Sequence, residues 1–256
     1  MYQTFIYVAI FLIYSFIGWI VEVSAFLIQD HKFVNRGFFI GPVVPIYGTG
    51  GILITLLLTK YQSDPVTLFC MAVVVCSILE YFTSYVMEKL FKTRWWDYSN
   101  KKFNINGRVC LLNSIYWGFL SVFFIEIWNP LVETQLTKIP SDIILYIDII
   151  LVAYIVVDMI LSSIKASNLS KRIKKLIQLG ENLKEKLEEL KKTSSEKQKV
   201  ALQKIIDDLK LRQRVIRLKV DKQVHNLKKA FPSVQSEHIK EYLKLKVTEL
   251  KNKTKE

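Results

Sequence analysis

"SDIILYIDIILVAYIVVDMILSSIKASNLSKRIKKL", residues 141–176, changes character in its middle. Up to Ile164 it is almost continuously apolar, and from Lys165 onward basic residues alternate with Ile and Leu at helical spacing. A helix rising about 1.5 Å per residue needs roughly 20 apolar residues to cross a hydrocarbon core of about 30 Å. Residues 141–164 therefore predict a membrane span, and the residues after it an amphipathic helix in water. The whole chain divides at the same place. Residues 1–164 hold 10 Lys/Arg and 11 Asp/Glu, whereas residues 165–256 hold 26 and 12, so all of the net charge of +13 arises in the tail. The fold predicted is all-α: a polytopic membrane helix bundle over 1–164 followed by a basic, coiled-coil-like cytoplasmic tail over 165–256.

Five apolar runs predict spans at about 3–28, 41–60, 65–91, 110–128 and 141–164. The first has no basic leader and no small-residue cleavage site, which predicts a retained helix. The second holds Gly41, Pro42, Pro45, Gly48, Gly50 and Gly51, so an unbroken helix there is weak. Two readings follow, a close helix contact through Gly48 and Gly51, or a broken segment that offers backbone groups to a ligand. Cys70, Cys76 and Cys110 form no metal or disulfide pattern and read as small buried residues.

Alternate loops differ in positive charge. One set carries Lys32, Arg36, Lys89, Lys92, Arg94, Lys101, Lys102 and Arg108, while the other carries only Lys60 and Lys138. Because cytoplasmic loops retain Lys and Arg, the N-terminus is predicted outside and the C-terminus inside a cell membrane, with an odd number of crossings. The loops with unusual residues, 35–51 and 94–108, then share the cytoplasmic face. Glu22, Glu80, Asn113 and Asp158 lie at similar depth below it. An ionisable group inside a span costs on the order of 2.5–3.5 kcal/mol, so such a layer needs partners, water or a ligand. Taken singly, Glu22 and Asp158 also read as interfacial or capping residues, and Glu88 as merely interfacial. Asp148 and Glu126 fall outside the layer.

In "RWWDYSNKKFNINGR" (94–108), Trp95, Trp96 and Tyr98 fit an interfacial aromatic belt, and Lys101 and Lys102 the positive bias. Neither feature calls for Asp97, Asn104 or Asn106, and Asn106-Gly107 reads first as a tight turn. With Asn35, Arg36, Arg94 and Arg108 on the same face, bidentate recognition of phosphate or carboxylate is a candidate chemistry. The same arginines paired with Glu22, Glu80 or Asp97 would be structural ion pairs.

Four stretches, "YSFIGWIVE" (14–22), "NRGFFIGPVVPIYGTGG" (35–51), "LEYFTSYVMEKLF" (79–91) and "RWWDYSNKKFNINGRVCL" (94–111), resemble the bacterial membrane family catalogued as ABC-transporter type IV. The resemblance covers about residues 5–160 and not the tail. It implies a multi-span permease component and brings no assigned catalytic or ligand residue. No GxxxxGK[ST] loop is present, so a permease reading calls for a separate ATPase. No familiar enzyme motif appears and no cofactor is implied.

In the tail, Leu176, Leu183 and Leu190, then Leu202, Leu209 and Ile216, repeat every seven residues. The segment 191–197 predicts a turn with a capping box of Ser195 and Gln198, Phe231-Pro232 ends the second helix, and a last helix covers about 236–252. Few aromatics accompany the charge, which disfavours nucleic acid and favours anionic lipid of the inner leaflet. A homodimer is a further candidate partner. The functional readings are a cytosol-facing pocket for a small or amphiphilic anion, an inner-leaflet enzyme acting on a lipid-linked or phosphorylated substrate with Mg²⁺ or a carboxylate base, and a non-catalytic scaffold.

Overall fold

A computed structural model describes residues 2–253, with side chains over 3–246, and is nearly all helical. Two compact units divide it: residues 1–90 with 94–163, and residues 91–93 with 164–256. Helix α6 (Ser141–Lys192) contributes to both.

The first unit is built from α1 (Tyr2–Asp30), α2 (Pro45–Leu58), α3 (Pro65–Phe91), α4 (Leu111–Phe123), α5 (Asn129–Leu136) and the first part of α6. Among the described residues four helical stretches are long and apolar enough to cross a membrane: Gln3–Asp30, Pro65–Phe91, Leu111–Leu136 and Ser141–Lys192. Ile150 and Val157 on α6 are 67% and 54% exposed, an apolar surface that suits lipid rather than water. The second predicted run is not one of the four. Helix α2 begins only at Pro45, after a non-helical segment 31–44, and its 14 residues reach about 21 Å. The cause is the Gly41-Pro42 and Pro45 interruption that weakened this run in the sequence.

Helix α2 packs closely against α1. A Cβ on Gly48 would run into Ser15 and the Phe11 carbonyl, and one on Gly51 into the Tyr14 ring. The Phe11 carbonyl is backbone and has nowhere to go, so this contact requires glycine at 48. The fourth run extends further than expected, because α4 and α5 are joined by a π-type turn, Phe124–Trp128. Pro130 cannot donate to the carbonyl four residues earlier, and a π turn just before it absorbs the irregularity.

At the α1 N-terminal end, Ile6, Ile10, Tyr14, Leu136 and Ile144 form one apolar cluster. Ile54, Leu58, Leu68, Ala72 and Ile125 form a second. Polar contacts here include the Tyr14 hydroxyl donating to Asn129 Oδ1 at 2.7 Å beside the first cluster and Cys76 meeting Ser121 at 3.6 Å beside the second.

The second unit pairs the distal part of α6 with α7 (Glu196–Ala230) and α8 (Glu237–Lys253). Ile173 and Leu176 bury against Val220, Val224, Ile239 and Tyr242, so the helices turn back on themselves within one chain. The predicted capping box does not form, since the Ser195 side chain makes no cap hydrogen bond. Its backbone carbonyl, instead, accepts from Lys199 N–H at 3.0 Å.

Candidate functional site

The chemistry gathers at the other end of the first unit. Two loops meet there, for Phe38 of segment 31–44 packs edge-on against Trp95 at 5.2 Å. Segment 31–44 is held from three sides. Asn35 accepts from the Trp19 indole of α1 at 2.9 Å and from Gly37 N–H, and donates to the Phe39 and Ile40 carbonyls. Asp158 of α6 accepts from the backbone N–H groups of Ile40 and Gly41 at 2.9 and 2.7 Å, assisted by Ser162. Asn35 and Asp158 thus fix the loop, Asp158 by capping two of its backbone amides.

The 94–110 loop is equally pinned. Two short strands, Asn104–Ile105 and Val109–Cys110, pair antiparallel around Asn106 and Gly107, both with positive φ. That is the twisted hairpin turn Asn-Gly favours. A Cβ on Gly107 would collide with Asp97 and Ser99. Asn104 accepts from Gly107 N–H and donates to Lys101 O at 2.8 Å, and Asn106 donates to the Tyr81 hydroxyl at 2.9 Å. Asp97 accepts from Ser99 N–H and Oγ–H and pairs with Arg94 at 3.5 Å. Burial opposes the charge on Asp97, yet the Ser99 donors and the Arg94 guanidinium outweigh it and hold the carboxyl below its ordinary range. Trp95 is 5% exposed and belongs to the packed interior of this end rather than to an aromatic belt.

Within this frame lie two arrangements of charge. In the first, Glu88 near the end of α3 receives Arg108 Nη2 at 2.7 Å and Arg94 Nε at 3.1 Å. Arg108 also donates to Ser84 and lies over the Tyr81 and Tyr85 rings at 5.6 and 5.4 Å. Two guanidiniums thus converge on a single carboxylate whose side chain is 35% exposed. The second is deeper. Glu80, only 4% exposed, accepts through Oε1 from Asn113 at 2.8 Å and from the Tyr98 hydroxyl at 3.2 Å. Asn113 also donates to the Tyr98 oxygen at 3.2 Å. The Trp117 indole stands beside this carboxyl, but neither its nitrogen nor Glu80 Oε2 attains hydrogen-bond geometry. Burial, followed by the Glu80 carboxylate, raises the Tyr98 phenol above its ordinary range and keeps it a donor. Glu22 completes the group: it pairs with Arg36 at 3.3 Å and accepts from Tyr47 at 2.9 Å, and the Tyr47 ring packs on Trp117 at 4.9 Å.

Of the residues singled out in the sequence, Glu22, Arg36, Glu80, Arg94, Asp97, Arg108 and Asn113 lie in these two arrangements or at their edge. Asn35, Asn104 and Asn106 make loop-fixing hydrogen bonds. Glu88, Tyr98, Tyr47 and Trp117 were not expected to take part. An acid six residues before Arg94 was a signal for Glu88; the hydroxyl of Tyr98 was hidden by its place in an aromatic run. Among the described residues no group of three His, Cys, Asp or Glu is placed to hold a metal ion.

A protein family described as "Putative ABC-transporter type IV" matches residues 9–163. The match covers more than half of the chain, and the chain belongs to this family, a membrane protein related to transporters. No curated protein and no solved structure matches it significantly.

Proposed function

We propose that this chain is a membrane permease component whose polar end is a cytosol-facing recess for a small or amphiphilic anion. The observation that carries the reading is the convergence of Arg94 and Arg108 on the half-exposed Glu88 carboxylate. An incoming phosphate or carboxylate can exchange one-for-one with Glu88, keeping both charge-assisted hydrogen bonds. Such an exchange costs far less than bringing an anion to an unlined site, because the guanidiniums are already largely desolvated and held in place, Arg108 by Ser84 and the two tyrosine rings and Arg94 by Asp97 and the Asn106 carbonyl. Arg36 and Glu22 form the far wall.

The cytosolic assignment follows from charge. The loops at this end hold Lys32, Arg36, Lys92, Arg94, Lys101, Lys102 and Arg108, against Lys60 and Lys138 in the opposite loops. With the N-terminus outside and the C-terminus inside, α2 and the turn Thr59–Tyr61 make the fifth crossing, about 27 Å long together. The basic tail then faces the anionic inner leaflet, and a separate ATPase or a second copy supplies what the chain lacks.

Thermal unfolding of the purified chain with inorganic phosphate, a dicarboxylate and a phosphatidylglycerol-containing micelle tests this. Stabilisation by at least one probe, lost in Arg108→Ala and kept in Lys138→Ala, is expected. Equal stabilisation of both variants, or of neither the wild type nor the variants, overturns the recess.

A further inference from the structure

The three guanidiniums at this end are all committed to carboxylates. Arg36 pairs with Glu22, Arg108 with Glu88, and Arg94 with Glu88 and Asp97. Glu22, Glu88 and Asp97 thus each face a guanidinium, whereas Asp158 and Glu80 have no ion pair; Asp158 is satisfied by the Ile40 and Gly41 amides and Ser162, and Glu80 is the one left with an unbonded oxygen. It is also the most deeply set, and its Oε2 is enclosed and makes no hydrogen bond. A buried charge of this kind is costly unless a compensating charge joins it.

The neighbours do not supply one. From α1 the nearest charged group is Glu22, of the same sign; from α2 comes Tyr47; α4 offers the neutral Asn113 and Trp117; the loop offers Tyr98; and Cys76 lies one turn away on α3 itself. Cys110 on the second strand acts on Tyr98. The enclosure of Oε2 leaves no room for a hydrated ion or an ammonium group. The one positive charge that fits is a proton.

We propose that Glu80 is a proton-binding site, loaded and unloaded through the Tyr98 hydroxyl, that couples proton movement to the recess. Tyr98 belongs to the loop, is itself half-buried and reaches Glu80 with its hydroxyl. On loading, the Tyr98 O–H passes its proton to the Glu80 carboxylate while its oxygen takes one from hydronium on the loop side, giving a neutral carboxyl, an intact phenol and water. Unloading is the reverse. Asn113, donating to both Glu80 and the Tyr98 oxygen, holds the two in line. The site goes beyond the anion recess but lies beside it, so that one anion and one proton can enter with no net charge.

Infrared spectroscopy of the full chain in lipid bilayers tests this without a transport assay. A carbonyl band of a protonated carboxyl, titrating between acid and alkaline pH, is expected in the wild type. It should vanish in Glu80→Gln, persist at shifted frequency in Glu80→Asp, and persist in Glu22→Gln and Glu88→Gln. Glu80→Gln retains the acceptor for Asn113 and Tyr98, so it should fold, as a circular dichroism melt checks. Tyr98→Phe should keep the band but slow its response to a pH jump by at least tenfold. A band unchanged by Glu80→Gln overturns the proposal, as does unaltered kinetics in Tyr98→Phe for the relay. Anion stabilisation without a Glu80 band would leave the recess standing and sink only the proton site; a Glu80 band without anion stabilisation would do the opposite.

Discussion

The two ends of the membrane bundle are made from the same helices yet are built on opposite principles. At one end Leu58, Leu68, Ile125, Ile10 and Ile144 pack with little polar chemistry, and Tyr14 with Asn129, Cys76 with Ser121 and the buried Asp148 are exceptions. At the other, within a few turns of the same α1, α3 and α4, lie Glu22, Glu80, Glu88, Arg94, Arg108 and Asn113. Helices differ little in backbone between their ends, so the difference resides in side chains and in the loops. Short connections cap the apolar end, whereas segment 31–44 and the 94–110 hairpin cross over the polar end and supply most of its donors. The contrast teaches that loop donors complete most of the polar groups at one end, whereas at the other a few buried polar atoms, such as Asp148 Oδ2 and Glu126 Oε1, have no hydrogen-bond partner.

The largest effect should come from breaking the polar end. Arg108→Ala strips Glu88 of its shorter ion pair, takes from Ser84 its Arg108 hydrogen bond and removes the guanidinium over the Tyr81 and Tyr85 rings, at an expected cost of roughly 2–3 kcal/mol, below the fully buried range because Glu88 is half-exposed. Denaturation of the purified protein in mild detergent measures it. Leu68→Ala at the apolar end should cost about 2 kcal/mol through the cavity left around a fully buried side chain, with anion stabilisation unchanged. Both losses being equal in stability but different in ligand response would sharpen the contrast; a ligand defect in Leu68→Ala would break it.

Gly48→Ala probes the contact that joins the ends. Its new methyl meets Ser15 and the Phe11 carbonyl, so α2 must shift, at about 1–3 kcal/mol. Tyr14→Phe removes one hydrogen bond at the apolar end and should cost only about 0.6 kcal/mol, as side-chain hydrogen bonds between membrane helices do. The smallest effect is one of pH. Asp97 is held below the ordinary value of 3.8, so its contribution to the loop is fully present above that value and is lost as pH falls through the lower folded one. Proteolysis within residues 99–103 should therefore accelerate in acid in the wild type and be fast at every pH in Asp97→Asn.

Much of this contrast was legible beforehand. Long apolar runs announce α1, α3, α4 and α6, because crossing a membrane demands length and composition together. The short α2 was less so: the same glycines and prolines that weakened the run also moved its helical start to Pro45, and no residue count reveals how much of an interrupted run stays helical. Arg108 and Glu80 stood out because charge in or near a span is expensive. Glu88 did not, since an acid at a helix end is ordinary until two arginines from a distant loop arrive at it. Asp158 shared a depth with Glu22 and Glu80, but depth is one coordinate, and its rotation on α6 turned it to the Ile40 and Gly41 amides instead. Asn104 and Asn106 resembled ligand groups because an amide that fixes a turn and one that binds a solute look alike in sequence.

An anion recess and a proton site at the polar end require segment 31–44 and the 94–110 hairpin to face one side of the membrane together. Single cysteines at Lys32, Lys101, Lys60 and Lys138, in a chain with Cys70, Cys76 and Cys110 replaced by Ser, can be labelled with a membrane-impermeant maleimide in intact cells and in inverted vesicles. Labelling of positions 32 and 101 only in inverted vesicles, and of 60 and 138 only in intact cells, is the predicted result. Positions 32 and 101 reacting from opposite sides would contradict it.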